Sequence, residues 1–209
     1  MSFLQNTRRP DGLGGRLMVF AMNIGHRALA SWGLRSLTLP ADAAVLDCGC
    51  GGGANIEKLL KKCPQGTVDG LDHSAVSVEM AKKRNAAAIR GGRCTIRQGS
   101  VEKIWLPADR LDAVTAFETV YFWPDLPRCF REVCRVLKPG GTFLIVNECS
   151  GDDARDEKWT EKIDGMTIYR DTQLKAYLAQ AGLTDVRIRK NGKGWLCVTA
   201  QKPAVHGEG

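Results

Sequence analysis

The chain has 209 residues, of which 44% are apolar and 25% charged, with a formal net charge of +7. That balance excludes a disordered or collagen-like chain, and no Pro-, Ser- or Gly-rich linker divides it, so a single domain over 1–209 with a substantial core is expected. The longest early apolar stretch, Leu17 to Met22, is too short to span a bilayer and lacks the layout of a secretory signal, which points to a cytoplasmic protein.

Residues 1–11 and 204–209 read as disordered tails. Gly14 to Leu34 carries Leu17, Phe20, Ala21, Ile24, Ala28, Leu29 and Trp32 at helical spacing and predicts a helix broken near Gly25, a cap over 12–36. Ala43 to Leu46 is short and apolar, as a strand covered on both faces requires. Gly49, Gly51 and Gly53 then permit backbone conformations that a Cβ forbids, and Asn55 to Lys62 reads as a helix through Ile56, Leu59 and Leu60. Thr67 to Leu71 is a second strand with Asp72 at its carboxyl end, and Ser74 caps a helix from Ala75 to Arg90.

Cys94 to Gln98 forms a third strand and Asp112 to Phe117 a fourth, which delivers Glu118-Thr-Val-Tyr-Phe-Trp-Pro124 ahead of a helix from Leu126 to Leu137. Three consecutive aromatics at a strand end cannot all face a core, so Tyr121 and Trp123 are assigned to a pocket and Phe122 to packing beneath the helix. Lys138-Pro-Gly-Gly141 is a turn and Thr142 to Asn147 the fifth strand, followed by Glu148. Gly151 to Arg170 is polar and weakly periodic, an insert with Trp159, Met166 and Tyr169 as candidate substrate contacts. A helix from Thr172 to Ala181 stops at Gly182, and Asp185 to Arg189 and Gly194 to Gln201 form a hairpin around Asn191-Gly192. The fold class is α/β: a Rossmann-like, doubly wound, seven-stranded sheet over 43–203, mostly parallel with an antiparallel C-terminal hairpin, plus the N-terminal helical cap.

The run Val45-Leu-Asp-Cys-Gly-Cys-Gly-Gly-Gly-Ala54 joins a buried strand, an acid and a glycine turn. Two ligand classes use such a turn. Gly49, Gly51 and Ala54 satisfy the dinucleotide pattern G-x-G-x-x-G/A, with Asp72 as the acid about 20 residues on. Against that, Asp47 at the strand end repels a pyrophosphate and attracts a cationic amino group or a sulfonium, directly or through water.

In motif order, from about Ala43 to about Pro203, the chain resembles the class I S-adenosylmethionine-dependent methyltransferases of the small-molecule type. Val45 to Gly53 looks like their first motif, Val68-Asp-Gly-Leu-Asp-His-Ser74 like their second strand with its acid, Leu111 to Glu118 like the fourth strand, and Arg135-Val-Leu-Lys-Pro-Gly-Gly-Thr-Phe143 like the turn into the fifth. Asp112 fits the acid at the head of the fourth strand, whereas Ser100-Val101 stands where many members carry Asp-Ala. The resemblance implies S-adenosylmethionine as cofactor, held by Asp47, Cys48, Gly49, Cys50, Gly51, Asp72, His73, Ser100, Val101, Glu102 and Phe117. Asp72 would take the ribose hydroxyls, Ser100 to Glu102 would lie beside the adenine with Trp105 near it, and Asn23-Ile-Gly-His26 would act as a lid.

Methyl transfer is an in-line displacement with an activated leaving group, so alignment and exclusion of water matter more than a dedicated base. Where a proton must leave the acceptor, Glu118, Tyr121 and His26 are the catalytic candidates, and Glu148 can orient an amine or hydroxyl. The eight cysteines show no C-x-x-C pair and no neighbouring histidine cluster, so no metal site is expected and the thiols read as small hydrophobes. Lysines and arginines are scattered, with no basic run interleaved with aromatics, which argues against a nucleic-acid partner, and the short Leu17 to Met22 stretch argues against a membrane; Arg187, Arg189, Lys190 and Lys193 can draw in an acidic substrate. The rival readings are a nicotinamide-dependent oxidoreductase, on the literal glycine match, and a non-catalytic nucleic-acid- or protein-binding module, on the positive charge.

Overall fold

The computed structural model of the chain describes Gly12 and residues 26–204. The N-terminal half of the expected cap helix, most of the lid segment, and nearly all of both tails lie outside those residues. The described elements run α1 (Arg27–Gly33), β1 (Ala44–Cys48), α2 (Ala54–Lys62), β2 (Thr67–Asp72), α3 (Ala75–Arg84), α4 (Ala86–Arg90), β3 (Ile96–Gln98), β4 (Leu111–Phe117), α5 (Leu126–Val136), β5 (Leu137–Asn147), α6 (Ala154–Lys162), α7 (Asp171–Gln180), β6 (Thr184–Lys190) and β7 (Leu196–Gln201), with short 3-10 turns at Leu34–Ser36 and Val120–Phe122.

The seven strands form one sheet in the order β3-β2-β1-β4-β5-β7-β6. The pairs β1 with β2 and β4, β2 with β3, and β4 with β5 are parallel, while β7 runs antiparallel to both β5 and β6. The strand order reverses between β1 and β4, and at such a switch point diverging connections leave a crevice beyond the carboxyl ends of the strands.

Each face of the sheet carries its own core. On one, Leu29 of α1, Ile56 and Leu59 of α2 and Val78 and Ala81 of α3 pack on Val45, Val68, Ala113 and Val146. On the other, α5 and α7 cover Leu46, Val114, Phe143 and Ile145. Helix α5 buries Leu126, Cys129, Phe130, Val133 and Val136, the stripe its 3.6-residue period dictates, and Asp125 caps it by accepting the Arg128 N–H at 3.1 Å.

Three elements depart from expectation. The helix from Ala75 to Arg90 is two helices, because Asn85 turns its buried amide to donate to the carbonyls of Gly53 (3.1 Å) and Ala81 (3.0 Å), which ties the break to the glycine loop. Lys138-Pro-Gly-Gly141 is a bulge within β5, not a separate turn: Leu111 pairs with Leu137, but Ala113 already pairs with Thr142. The polar insert contains helix α6, with Trp159 exposed and Tyr169 set edge-on to Tyr177 at 6.1 Å, part of the core margin.

Ser74 caps α3 as expected, its hydroxyl accepting the Ser77 N–H at 3.2 Å. Ser74→Ala is expected to lower stability by about 1 kcal/mol, read as a shifted urea midpoint with an unchanged slope.

Candidate active site

The glycine turn closes the carboxyl ends of β1 and β2. The N–H groups of Gly49 and Cys50 both donate to the Leu71 carbonyl (2.7 and 3.0 Å), drawing the loop against β2. Gly49 has φ +73°, and a Cβ there would meet the Thr119 hydroxyl at 2.1 Å; Gly51 has φ +51° and nothing within 4 Å of where a Cβ would project. The loop is thus clamped on one side and open on the other, a cradle that a side chain at Gly51 would fill.

Asp72, 7% exposed, accepts the Gly51 N–H at 2.9 Å with one carboxylate oxygen and the Ser74 N–H at 2.9 Å with the other. Each oxygen keeps a lone pair for a further donor. Burial raises its pKa, and the backbone N–H groups and His73 oppose that. His73 is half exposed, 3.8 Å from Asp72. Asp47 lies deeper, 1% exposed and bound by the Thr115 hydroxyl at 2.7 Å; burial pushes its carboxyl up to about 7. It therefore acts from beneath the loop, not as an open contact.

Cys48 and Cys50 are buried on opposite faces of the sheet, and burial holds both thiols well above the ordinary range. Phe117 is 8% exposed at the end of β4. Beyond β3, Val101 is buried in the core, while the Ser100 hydroxyl accepts the Glu102 N–H at 3.2 Å and Glu102 lies 3.6 Å from Arg128. Trp105 packs at the core margin with the Arg97 guanidinium 5.2 Å from its ring centre. Asp112 sits at the opposite, amino-terminal end of β4, where it accepts the Ala44 N–H at 2.8 Å and pairs with Lys138; its role there is structural.

Glu118 follows β4 with φ +59°, a left-handed conformation unusual for glutamate. One carboxylate oxygen accepts the Glu148 N–H, which ties the ends of β4 and β5 together. The side chain is 12% exposed, and burial together with the Glu148 charge pushes its carboxyl up to about 8 against its hydrogen bonds. His26, 29% exposed, stands 3.9 Å from Glu118 and 3.8 Å from Glu148; burial lowers its pKa and Glu148 opposes that. One ligand-type atom from each of these three residues lies within 4.8 Å of the others.

The aromatic run is the main correction. Tyr121 is 2% exposed; its hydroxyl accepts the Cys149 N–H at 2.9 Å and has Glu118 (3.4 Å) and the Cys149 carbonyl (3.3 Å) as acceptors for its one proton. Burial beside Glu118 raises its pKa, and its hydroxyl is engaged by Glu118 and the Cys149 backbone instead of facing open space. Trp123 is core as well: it stacks on Phe143 at 6.1 Å and donates its indole N–H to Thr119. Phe122, expected beneath the helix, is the partly exposed one. The 3-10 turn over Val120–Phe122 rotates the run by about 120° per residue, which reverses the inward and outward choices.

Thr115, Thr119 and Asn147 were not anticipated. Thr115 and Asn147 are isolated polar residues in apolar strands, and that interruption was the available signal. Both amide atoms of the buried Asn147 find no hydrogen-bond partner among the described residues. The basic C-terminal residues are engaged internally: Arg187 pairs with Asp185, Lys190 with Asp152 and Asp171, and Arg189 lies over Trp32 at 4.4 Å.

Residues 46–145 match the family model described as a methyltransferase domain. The chain is 29% identical over 189 residues to the uncharacterized methyltransferase YdaC of Bacillus subtilis, covering 89% of this chain and 98% of that protein. Further curated relatives include quinone and sterol methyltransferases, of whose length the chain spans 26–44%. Among solved structures, a Haloferax volcanii protein in complex with the Trm112 methyltransferase activator superposes with a TM-score of 0.83 at 21% identity, covering 93% and 96% of the two chains. A SAM-dependent methyltransferase from Aquifex aeolicus gives 0.73 at 19% identity, covering 90% and 98%. Among the described residues no helix is long and apolar enough to cross a membrane.

Proposed function

Because the chain belongs to the class I S-adenosylmethionine-dependent methyltransferases, we propose that its carboxyl-end crevice binds that cofactor and a small-molecule acceptor side by side. The observation that carries this is a row of acids. Four neighbouring strands, β2, β1, β4 and β5, bring Asp72, Asp47, Glu118 and Glu148 to the same edge; among the described residues no lysine or arginine forms a salt bridge with any of them, and Lys58 acts on Asp47 only as a charge at longer range. A sulfonium and an ammonium draw these carboxyls into their charged forms and are held by them; a diphosphate keeps them protonated and gains no such attraction. The glycine cradle and Asp72 fit the adenosyl part, with the free lone pairs of Asp72 for the ribose hydroxyls and the loop from Ser100 to Glu102 beside the ring.

Bound there, S-adenosylmethionine supplies a methyl group already activated by its sulfonium. Glu118 is the group best placed to take a proton from the acceptor, with His26 as its outlet to solvent; Tyr121 is a positioning residue that holds Glu118 and the Cys149 backbone in register. The quinone and sterol relatives support a small-molecule acceptor. We further take residues 1–209 as one catalytic domain with 12–36 as its cap, in a reducing cytoplasm that suits eight free cysteines.

Calorimetry in buffers of different ionisation enthalpy tests the reading. A cation entering beside carboxyls that titrate at about 7 and about 8 favours their charged forms, so S-adenosylmethionine should bind with release of protons at pH 7.5. Uncharged S-adenosylhomocysteine should release fewer. Tight binding of NADH with proton uptake, and none of S-adenosylmethionine, would overturn the assignment. Alanine at Asp72 also removes acceptors for two loop N–H groups, so Asp72→Asn is the cleaner variant; a loss of about tenfold in cofactor affinity is expected, and unchanged affinity removes Asp72 from the ribose role.

A further inference from the structure

We propose, on the premise of the methyl-transfer reading, that the acceptor atom is an amine nitrogen held by His26, Glu118 and Glu148. These three side chains come from different places, the start of α1 and the ends of β4 and β5, and converge at the sheet edge beside the glycine cradle. Two are carboxyl groups that an entering cation draws into their charged forms, and the third is an imidazole that burial keeps toward its neutral form, so the group offers acceptors to a cation. The neighbouring hydroxyl, that of Tyr121, is taken up by the Cys149 backbone and Glu118. A hydroxyl acceptor brings one donor and satisfies one of the three groups. A primary ammonium brings three donors and a charge.

The imidazole lies 3.9 and 3.8 Å from the two carboxylates, and one ligand atom of each residue lies within 4.8 Å of the others. Acceptors around one ammonium, each about 2.8 Å from its nitrogen, stand about 4.6 Å apart, which these side chains reach by opening less than about 1 Å. The second glutamate has a function in this arrangement: Glu148, with its side chain 55% exposed, meets the incoming cation first, and Glu118, 12% exposed, receives it.

The chemistry balances without another reactant. The ammonium gives one proton to the Glu118 carboxylate, and the freed nitrogen lone pair forms the N–C bond while the C–S bond breaks and its electron pair stays on sulfur. An N-methylammonium, a neutral thioether and a protonated Glu118 remain. His26 then carries the Glu118 proton to solvent.

The test uses the chain 1–209. Calorimetry first establishes that S-adenosylhomocysteine binds; its failure would sink the methyl-transfer reading itself. With the protein saturated in S-adenosylhomocysteine, benzylamine is titrated against benzyl alcohol. Benzylamine should bind at least about tenfold tighter, and the preference should fall below about twofold in E118Q and E148Q, each saturated with S-adenosylhomocysteine according to its own measured affinity. Equal affinities, tighter alcohol binding or no amine binding at millimolar concentration would overturn the amine assignment alone. Incubation with S-adenosylmethionine labelled with carbon-13 at its methyl group and a metabolite extract gives an independent reading: label on nitrogen supports the proposal, and label on oxygen, carbon or sulfur, or none, overturns it.

Discussion

Gly49→Val is expected to cost about 2–5 kcal/mol of stability and to abolish S-adenosylmethionine binding. Two penalties add. A β-branched residue at φ +73° is strained by about 1–2 kcal/mol, and the new Cβ would stand 2.1 Å from the Thr119 hydroxyl and 2.6 Å from its Cβ. Relieving that overlap moves either the loop or the start of the Val120–Phe122 turn, for about 1–3 kcal/mol more. Either movement breaks the approach in which Gly49 and Cys50 N–H groups share the Leu71 carbonyl. Urea unfolding and cofactor titration check the two halves separately. The double variant Gly49→Val, Thr119→Gly should recover part of the stability, because only the clash is removed and the φ penalty stays. A single variant as stable as the parent would mean that the loop and Thr119 are not in contact.

The second large effect is in the pH dependence of stability. Glu118 titrates near 4.5 when unfolded and at about 8 in the fold, because the folded site desolvates it and sets Glu148 beside it. The folded chain therefore holds the proton where the unfolded chain has lost it, and stability must fall as pH rises from 4.5 to 8. Asp47 acts in the same direction between 3.8 and about 7, and His26, with its pKa lowered, acts in the opposite direction below 6.5. Glu118→Gln isolates the glutamate: Gln keeps an acceptor for the Glu148 N–H but does not titrate. The difference in unfolding free energy between the parent and the variant should shift by about 2–4 kcal/mol from pH 4.5 to pH 8, with the parent losing ground. A flat difference would show that Glu118 is solvated as an ordinary carboxylate. Saturating S-adenosylmethionine should shrink the slope, since a nearby cation restores the charged form.

Both effects arise at strand ends, where local sequence and tertiary contact contribute differently. The places of the glycine turn and Asp72 were legible because each directly follows or ends a short apolar strand, and the Ser74 cap and the Asn191-Gly192 hairpin were legible because each depends on residues within a few positions of one another. The Asn191 side chain accepting the N–H groups of Lys193 and Trp195 is such a case. The parallel order was legible too, since short apolar strands alternating with amphipathic helices have few other ways to bury both sheet faces.

The orientations of Tyr121, Phe122 and Trp123 were not legible. Three adjacent aromatics carry no period, and only the 3-10 turn, with Tyr121 locked to Cys149 and Trp123 stacked on Phe143, decides which faces inward. The same holds for the site as a group. Residues 26, 118 and 148 were each conspicuous alone, but their approach to within 4.8 Å depends on β4 and β5 being neighbours in register and on α1 packing across β5 through Gly33 and Val146. Backbone preference and hydrophobic period act over a few residues and so can be read along the chain. A shared cavity and the pKa of a group within it depend on what is excluded from three dimensions, and only the closed sheet with its covering helices determines that.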